Sequence, residues 1–276
     1  MKTIALAVLA MALTAPPADV GAVLERLDGY LAKYEGELGA LIADEDFLQE
    51  EPQLPGNARP VQRRLESEVA FLRLPGDGDW IGFRRVKRVN RKPVDDRHET
   101  LMALLSISST DSIAQAKLLV AQSSEHNLGS PRTINMPGLP LELIHQRHRR
   151  RFDITLEGRD RVRGHDVVKL AFTERAAPSI VFFGGQVALL SRVHAWIDPK
   201  TGELHRAHVL FTSDARLRYL PRLDVEFERD AALRLLVPTR MNEVFLLQPG
   251  GLGTGRATYS NFRRFQTSAR IVPPPP

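Results

Sequence analysis

The chain of 276 residues contains no cysteine. It therefore has no disulfide framework, and it cannot be anchored to a membrane through a lipid-modified N-terminal cysteine. An exported protein can dispense with disulfides when it is large enough to bury its own core. With 43% hydrophobic residues, the chain meets that condition.

Long apolar runs are absent beyond the N-terminus. The segment MKTIALAVLAMALTAPPADVGA has one lysine, an apolar run from Ile4 to Leu13 and then small residues, which is typical of a secretory signal peptide. The run is too short to cross a hydrocarbon core of about 30 Å. We expect residues 1–22 to be a signal peptide, with cleavage after Ala15 or after Ala22, and the mature chain to be periplasmic or secreted without a transmembrane segment.

The chain also lacks a strong excess of one charge, since 38 Lys and Arg face 33 Asp and Glu. No compact basic tail is present, and we therefore expect no nucleic-acid partner. Arginines do cluster in FRRVKRVNRK and RHRRR. Two hypotheses remain open for them: they protect exposed sheet edges from aggregation, or they form an anion-facing rim for phospholipid or acidic glycan.

Helical spacing of apolar residues follows the signal segment. Asp19 can cap a helix whose apolar positions run from Val20 to Leu38 and on to Leu41 and Ile42. The acidic cluster Asp44-Glu45-Asp46 would then lie at the helix end, where carboxylates serve capping and solvation. A helical insert is expected at about residues 95–146, and Pro140 suits the first turn of a short helix near its end.

Period-two alternation dominates the rest of the chain. RRLESEVAFLRL and WIGFRRVKRV predict a hairpin, and RFDITLEG, HDVVKLAFTE and LDVEFERD predict antiparallel strands that are solvated on one face. QPGGLGTGRA has the glycines of a phosphate loop, but strands flank it, and it is predicted to be a long hairpin loop. Residues 272–276 are expected to be a disordered or extended proline tail.

The stretch AWIDPKTGELHRAHV, with His194 before it, raises the question of a metal or catalytic site. Asp198 to Gly202 has turn chemistry and predicts a hairpin corner. If Asp198 pairs with Glu203, His194 and His205 share a face, and if it pairs with Gly202 they do not. Two histidines and one carboxylate do not make a zinc site, and we predict no metal.

Two further histidine pairs are interpreted as non-metal sites. His145 and His148 open a run of arginines whose positive field opposes metal binding. His205 and His208 are three apart on a strand, which places them on opposite faces. No hydrolase motif is present, so we predict no catalytic residue, and His194, Asp198 and His205 are the candidates to test for an unrecognised hydrolase site.

The order of elements resembles the LolA/LolB-like superfamily: a signal peptide, a long helix, hairpins, inserted helices, antiparallel strands with the AWIDPKTGEL corner, and a closing GRATYSNFRRF strand. The resemblance covers most of the chain after residue 20. It implies an incomplete antiparallel barrel that wraps a helix and leaves an apolar cavity, which in LolA and LolB holds the acyl chains of lipoproteins crossing the periplasm. The chain departs from that family in its length and its insert.

Together these observations predict an α+β fold, in which residues 23–271 form one domain with a curved antiparallel sheet, an incomplete β-barrel, wrapped around or covered by helices. We expect a non-catalytic carrier of a hydrophobic or lipid-like ligand, without a cofactor. The alternatives are a cell-envelope module that binds a protein partner and lacks a cavity, and the hydrolase. The candidate ligand-binding residues are the large apolar side chains on strands: Phe83, Phe172, Trp196, Phe227, Phe245 and Phe262.

Overall fold

The structure is a computed structural model. It describes residues 19–38, 40–52, 59–73, 80–94, 124–129, 134–175, 179–183, 187–212, 221–247 and 251–264. Most of the predicted signal peptide, most of the predicted insert and the proline tail lie outside the described residues.

The described chain has few helices. Helix α1 is Val20–Leu38, helix α2 is Leu139–Leu143, and a 3₁₀ helix covers Gln146–Arg151. The Asp19 carboxylate accepts a hydrogen bond from the Gly21 N–H at 3.0 Å, which confirms the predicted cap. None of these helices is long and apolar enough to span a bilayer.

Twelve strands make up most of the described chain: β1 (Ala40–Glu51), β2 (Val61–Arg73), β3 (Trp80–Val89), β4 (Lys92–Pro93), β5 (Phe152–Val162), β6 (His165–Glu174), β7 (Val181–Phe183), β8 (Val187–Ile197), β9 (Leu204–Thr212), β10 (Arg222–Arg229), β11 (Leu236–Leu247) and β12 (Gly251–Arg264). The sheet therefore dominates the molecule more than the predicted α+β class implies.

The prediction of one long helix through Ile42 is wrong. The chain leaves the helix at Leu38, and Leu41 and Ile42 lie on β1. Their helical spacing is coincidental, because β1 is paired along its length with β2 on one side and β12 on the other. The acidic cluster Asp44-Glu45-Asp46 consequently lies in the middle of a strand and caps no helix.

The glycine-rich segment is a second correction. Gly251 begins β12, so from Gly251 onward this segment is a strand paired with β11 and not a loop. A Cβ atom at Gly253 would overlap the Phe245 ring, and one at Gly255 would overlap the Glu243 and Phe47 side chains. Glycine is needed here because large side chains of neighbouring strands lie directly over the backbone.

The strands form one antiparallel sheet in the order β4-β3-β2-β1-β12-β11-β10-β9-β8-β6-β5, with β7 paired to β8. Among the described strands, β5 at one end pairs only with β6, and β4 at the other end pairs only with β3. The sheet is therefore not closed, and the predicted antiparallel incomplete barrel is confirmed at this level.

The sheet is strongly curled. Helix α2 contacts β3 and also β8 and β9. In a flat sheet the six spacings from β3 to β9 would cover roughly 29 Å, at about 4.8 Å per spacing. Since α2 has only five residues and is about 7.5 Å long, it reaches both sides only if the sheet bends around it.

The two faces of the curled sheet differ in chemistry. The inner face, which packs against α1 and α2, carries a continuous apolar core that includes Leu65, Val193, Val209 and Val225. The outer face carries cross-strand ion pairs, among them Arg88–Glu66 at 2.9 Å and Arg85–Glu68 at 3.4 Å. These arginines of β3 thus bind carboxylates of the neighbouring strand.

Candidate functional site

Three of the six predicted ligand-binding residues lie on the inner face. Phe172 on β6, Phe227 on β10 and Phe245 on β11 are each no more than 1% exposed. The Phe172 ring meets Phe152 edge-on at 6.4 Å, and the Arg149 guanidinium lies 5.8 Å from its centroid. The structure therefore places these three phenylalanines in the enclosed interior of the curled sheet.

The other three predicted residues are placed differently. Phe262 is partly buried and packs against the core. Phe83 pairs with Ala70 in the β2–β3 ladder, and its side chain lies outside the described residues. Trp196 lies on the outer face, where its Nε1–H donates to Asp160 Oδ2 at 2.7 Å and where Lys169 and Arg206 each lie 5.0 Å from its ring. Trp196 therefore does not share a surface with the inner phenylalanines.

The AWIDPKTGELHRAHV stretch forms the predicted hairpin. The Asp198 N–H donates to the Glu203 carbonyl at 2.9 Å, and Asp198 Oδ1 accepts from the Lys200 N–H at 2.7 Å. A register shift follows at once, because Trp196 pairs with Arg206 while Ile197 pairs with Leu204. The Asp198–Glu203 register is therefore present at the corner, but His205 occupies this bulge, so the expected placement of His194 and His205 on one face does not follow.

This bulge separates the candidate hydrolase residues. His194 lies on the outer face opposite His208, whereas His205 is buried beside His165. His194 Nδ1 is 2.7 Å from Glu157, and His208 Nδ1 is 3.2 Å from Asp224. His194, Asp198 and His205 therefore do not converge on one reacting atom.

His145 and His148 bind carboxylates. His145 Nδ1 accepts the Arg147 N–H at 3.2 Å, which leaves Nε2 to face Glu35 of α1 at 3.0 Å. His148 Nε2 lies 2.6 Å from Glu142. Burial, together with the Arg147 guanidinium, lowers the pKa of His145 despite the Glu35 carboxylate. No group of three or more metal-ligating side chains occurs within the described ranges.

A buried polar cluster on the inner face was missed by the sequence reasoning. We define the inner polar cluster as Glu45, Gln49, Arg84, Glu243 and Tyr259, all of which are buried. Arg84 forms a two-pronged ion pair with Glu45, with Nη2 donating to Oε1 at 2.8 Å. Its guanidinium also lies 4.9 Å from the centroid of Phe47. A charged pair thus sits inside an otherwise apolar interior.

A covering segment, which we define as residues 124–129 and 134–136, supplies partners to this cluster. Arg84 Nη2 donates to the Asn135 carbonyl at 3.1 Å. The Gln49 amide donates to Asn127 Oδ1 at 2.7 Å and accepts from the Leu128 N–H at 2.6 Å. The covering segment is therefore held over β1 and β3 by polar contacts in addition to apolar packing.

The Glu45 carboxylate shifts the pKa values of two neighbouring groups in the cluster. Burial alone would lower the pKa of Arg84, but the Glu45 carboxylate outweighs it and raises that pKa. Burial, with the nearby Glu45 charge, also raises the pKa of Tyr259 well above its usual range. Tyr259 therefore stays a neutral hydroxyl, and the cluster holds a charge and several hydrogen-bonding groups within the interior.

One signal in the sequence could have identified the cluster. Once DEDFLQE is interpreted as a strand, Glu45 and Gln49 fall on the same face as the fully buried Phe47. A charged residue at a core position requires a buried partner. The helical interpretation of this segment concealed that requirement.

Comparisons with known proteins give similarity only among solved structures. No protein-family profile matches the chain, and no curated protein matches it. A LolA superfamily protein from Nitrosomonas europaea aligns at 13% identity with a TM-score of 0.39, over 91% of this chain and 95% of that one.

Two further structures align over similar lengths. A DUF1329 family protein from Desulfovibrio piger has 14% identity and a TM-score of 0.38, over 89% of this chain and 92% of that one. A protein domain from Vibrio parahaemolyticus, named for outer membrane lipoprotein sorting, has 13% identity and a TM-score of 0.39, over 90% and 94%. The description of the fold rests on this chain's own strand order and packing. One of these three structures is of a LolA superfamily protein, the superfamily that the order of elements resembles.

Proposed function

We propose that the chain is a non-catalytic binding or carrier protein for a hydrophobic or amphiphilic, lipid-like ligand, and that it acts in the periplasm or outside the cell. One observation carries the proposal: the described sheet is curled and unclosed, and its inner face is apolar across its strands. A curled sheet with an open side can admit a ligand to its interior without breaking a strand ladder.

The inner polar cluster suits an amphiphile in particular. A ligand with both a chain and a polar group needs apolar surface and a few fixed hydrogen-bonding groups in one interior. Phe172, Phe227 and Phe245 provide the apolar surface, and Glu45 and Arg84 lie on the same inner face. The dispersed positions of His194, Asp198 and His205 give no support to the hydrolase alternative.

A second candidate is a cell-envelope module that binds a protein and has no ligand cavity. The observation that favours it is the near-complete enclosure of the inner phenylalanines, at 0% exposure for Phe172 and 1% for Phe227. Around these two side chains the described residues leave almost no exposed apolar surface, so a carrier must rearrange α1, α2 or the covering segment to make room for a ligand there.

Uptake of a fluorescent fatty acid by the purified full chain distinguishes the lipid carrier from the protein-binding module. We expect saturable binding, and we expect Phe227→Leu to weaken it several-fold, because the substitution changes the shape of the inner surface. Val61→Ala is the matched control, since Val61 is an exposed apolar residue and its loss should leave binding unchanged. Cooperative melting of each variant shows that it is folded.

Two outcomes of this binding experiment would count against the proposal. If the folded wild-type chain binds neither fatty acid nor phospholipid, the carrier proposal is wrong and the interaction module is favoured. If uptake is equal in Phe227→Leu and Phe245→Leu and the wild type, the inner phenylalanines do not line the ligand site.

A further inference from the structure

The turn between β8 and β9, Asp198 to Gly202, packs against the first half of α1. Gly202 has a φ of +77°, and a Cβ atom there would overlap the backbone of Arg26 and Leu27. Arg26 Nη1 also donates to the Pro199 carbonyl at 3.0 Å. The turn and the helix backbone are therefore in direct contact, and a movement of one must displace the other.

His205 lies immediately after this corner and is buried, with 4% exposure. Its ring stacks on His165 with centroids 4.4 Å apart and planes 26° apart. Among the described residues its Nε2 atom is enclosed without a hydrogen-bond partner. A neutral imidazole tolerates such a site, whereas an imidazolium there would carry an unsatisfied buried donor next to a second imidazole ring.

The charged groups around His205 do not relieve this problem. His165 faces it from β6, Asp198 and Glu203 from the turn, and Arg229 from β10. Glu203 is already held by Arg229, and Asp198 Oδ1 accepts backbone N–H groups of its own turn. On the helix side, the Tyr30 hydroxyl is a second enclosed atom that finds no hydrogen-bond partner within the described ranges, and it lies near the same Glu203–Arg229 pair.

We propose that the stacked pair His165 and His205 is an acid-operated release for α1: protonation of His205 opens the β8–β9 corner and frees the first half of the helix from the sheet. This goes beyond ligand binding, since it assigns a regulatory role to the corner whether or not a ligand is bound. Opening at low pH would uncover the inner face next to the helix.

The direction of the pH effect follows from linkage. Burial, with the His165 charge, lowers the pKa of His205 in the closed corner below the ordinary value near 6.5. The closed corner is therefore fully stable above pH about 6.5, and its stability is lost as the pH falls from there toward the lowered pKa. Within that window each pH unit favours the open corner by up to about tenfold.

Hydrogen exchange of the full chain, followed by mass spectrometry between pH 8 and pH 5 and corrected for intrinsic rates, tests the proposal. We expect protection of amides in residues 22–31 to fall by up to about tenfold per pH unit below 6.5 in the wild type. His205→Phe keeps an aromatic ring but cannot titrate, so its protection should not depend on pH. His194→Gln, on the outer face, should behave as the wild type.

His165→Phe provides a second variant in case His205→Phe does not fold. It keeps the stack and removes the like charge, so the closed-corner pKa rises toward 6.5 and the fall in protection should be smaller than in the wild type. His145 contacts Glu35 at the other end of α1, so residues 22–31 are followed separately from residues 32–38. Equal pH dependence in the wild type, His205→Phe and His165→Phe, or none in the wild type, would overturn the proposal.

Discussion

Arg84 and Glu45 are the two most consequential polar residues of the interior. Their side chains are 1% and 0% exposed, so both charged groups are desolvated. A buried ion pair contributes little net stability, because the cost of desolvation offsets much of the attraction between the charges. Removal of one partner is nevertheless destabilising, because it leaves the other charge buried without a partner. The pair is therefore sensitive to single substitutions and tolerant of a matched double substitution.

We expect Arg84→Met to lower the free energy of unfolding by about 3–5 kcal/mol, because Glu45 is left as an unpaired buried charge. Arg84→Met combined with Glu45→Leu should recover a large part of that loss. Chemical denaturation of the three proteins provides the measurement. A double variant no more stable than Arg84→Met would show that the pair is not the unit on which the interior depends.

Arg88→Met is the matched control on the same strand. Arg88 is 55% exposed and pairs with Glu66 across the outer face. Exposed ion pairs contribute about 0–1 kcal/mol, so this substitution should change the free energy of unfolding by no more than that. The contrast between Arg84 and Arg88 separates burial of a charge from the mere loss of an arginine.

The residue scale also shows how far the sequence could identify the site. Large apolar residues on strands identified Phe172, Phe227 and Phe245 as inner residues, because strand alternation places them with other core positions. The same rule selected Trp196, although its ring is buried on the outer face between Lys169 and Arg206. Alternation assigns residues to two faces, but it does not tell which face is wrapped by the sheet.

At the scale of elements, the packing of α1 against the β8–β9 turn depends on Gly202. Gly202→Ala should destabilise the fold by more than the roughly 1–2 kcal/mol that a left-handed backbone costs an ordinary residue, because the new Cβ would also displace α1. Thermal or chemical unfolding measures the loss.

Gly164→Ala isolates the backbone contribution to that loss. Gly164 has a similar φ of +89°, and a Cβ atom there would meet nothing within 4 Å. The difference between the two variants is the contribution of the contact with α1. Equal destabilisation by Gly202→Ala and Gly164→Ala would contradict the stabilising contact between the β8–β9 turn and α1.

Element boundaries were harder to predict than element types. The hairpin at Asp198–Gly202, the short helix at Pro140 and the strand segments of the second half follow from turn chemistry and period-two alternation. The transition from α1 to β1 does not, since Leu41 and Ile42 fit both periods. The pairing of β1 with β2 and β12 decides between them, and that pairing is remote in sequence.

At the scale of the whole molecule, an antiparallel sheet was predictable from the alternating segments and their turns. Its curvature and its open side were expected only from the resemblance to the LolA/LolB-like superfamily, because curl depends on which strands one short helix contacts. The partners of Glu45 in the inner polar cluster were also beyond local reasoning, since the cluster joins residues of β1, β3, β11 and β12 with the covering segment. The function proposed above depends on these global features.

Native mass spectrometry of the full chain, purified gently from the cells that produce it and followed by organic extraction, tests the central claim most directly. The account predicts a stoichiometric adduct that extracts as a lipid or an acylated peptide. A mass of the protein alone, together with failure to take up added phospholipid or fatty acid, would contradict it.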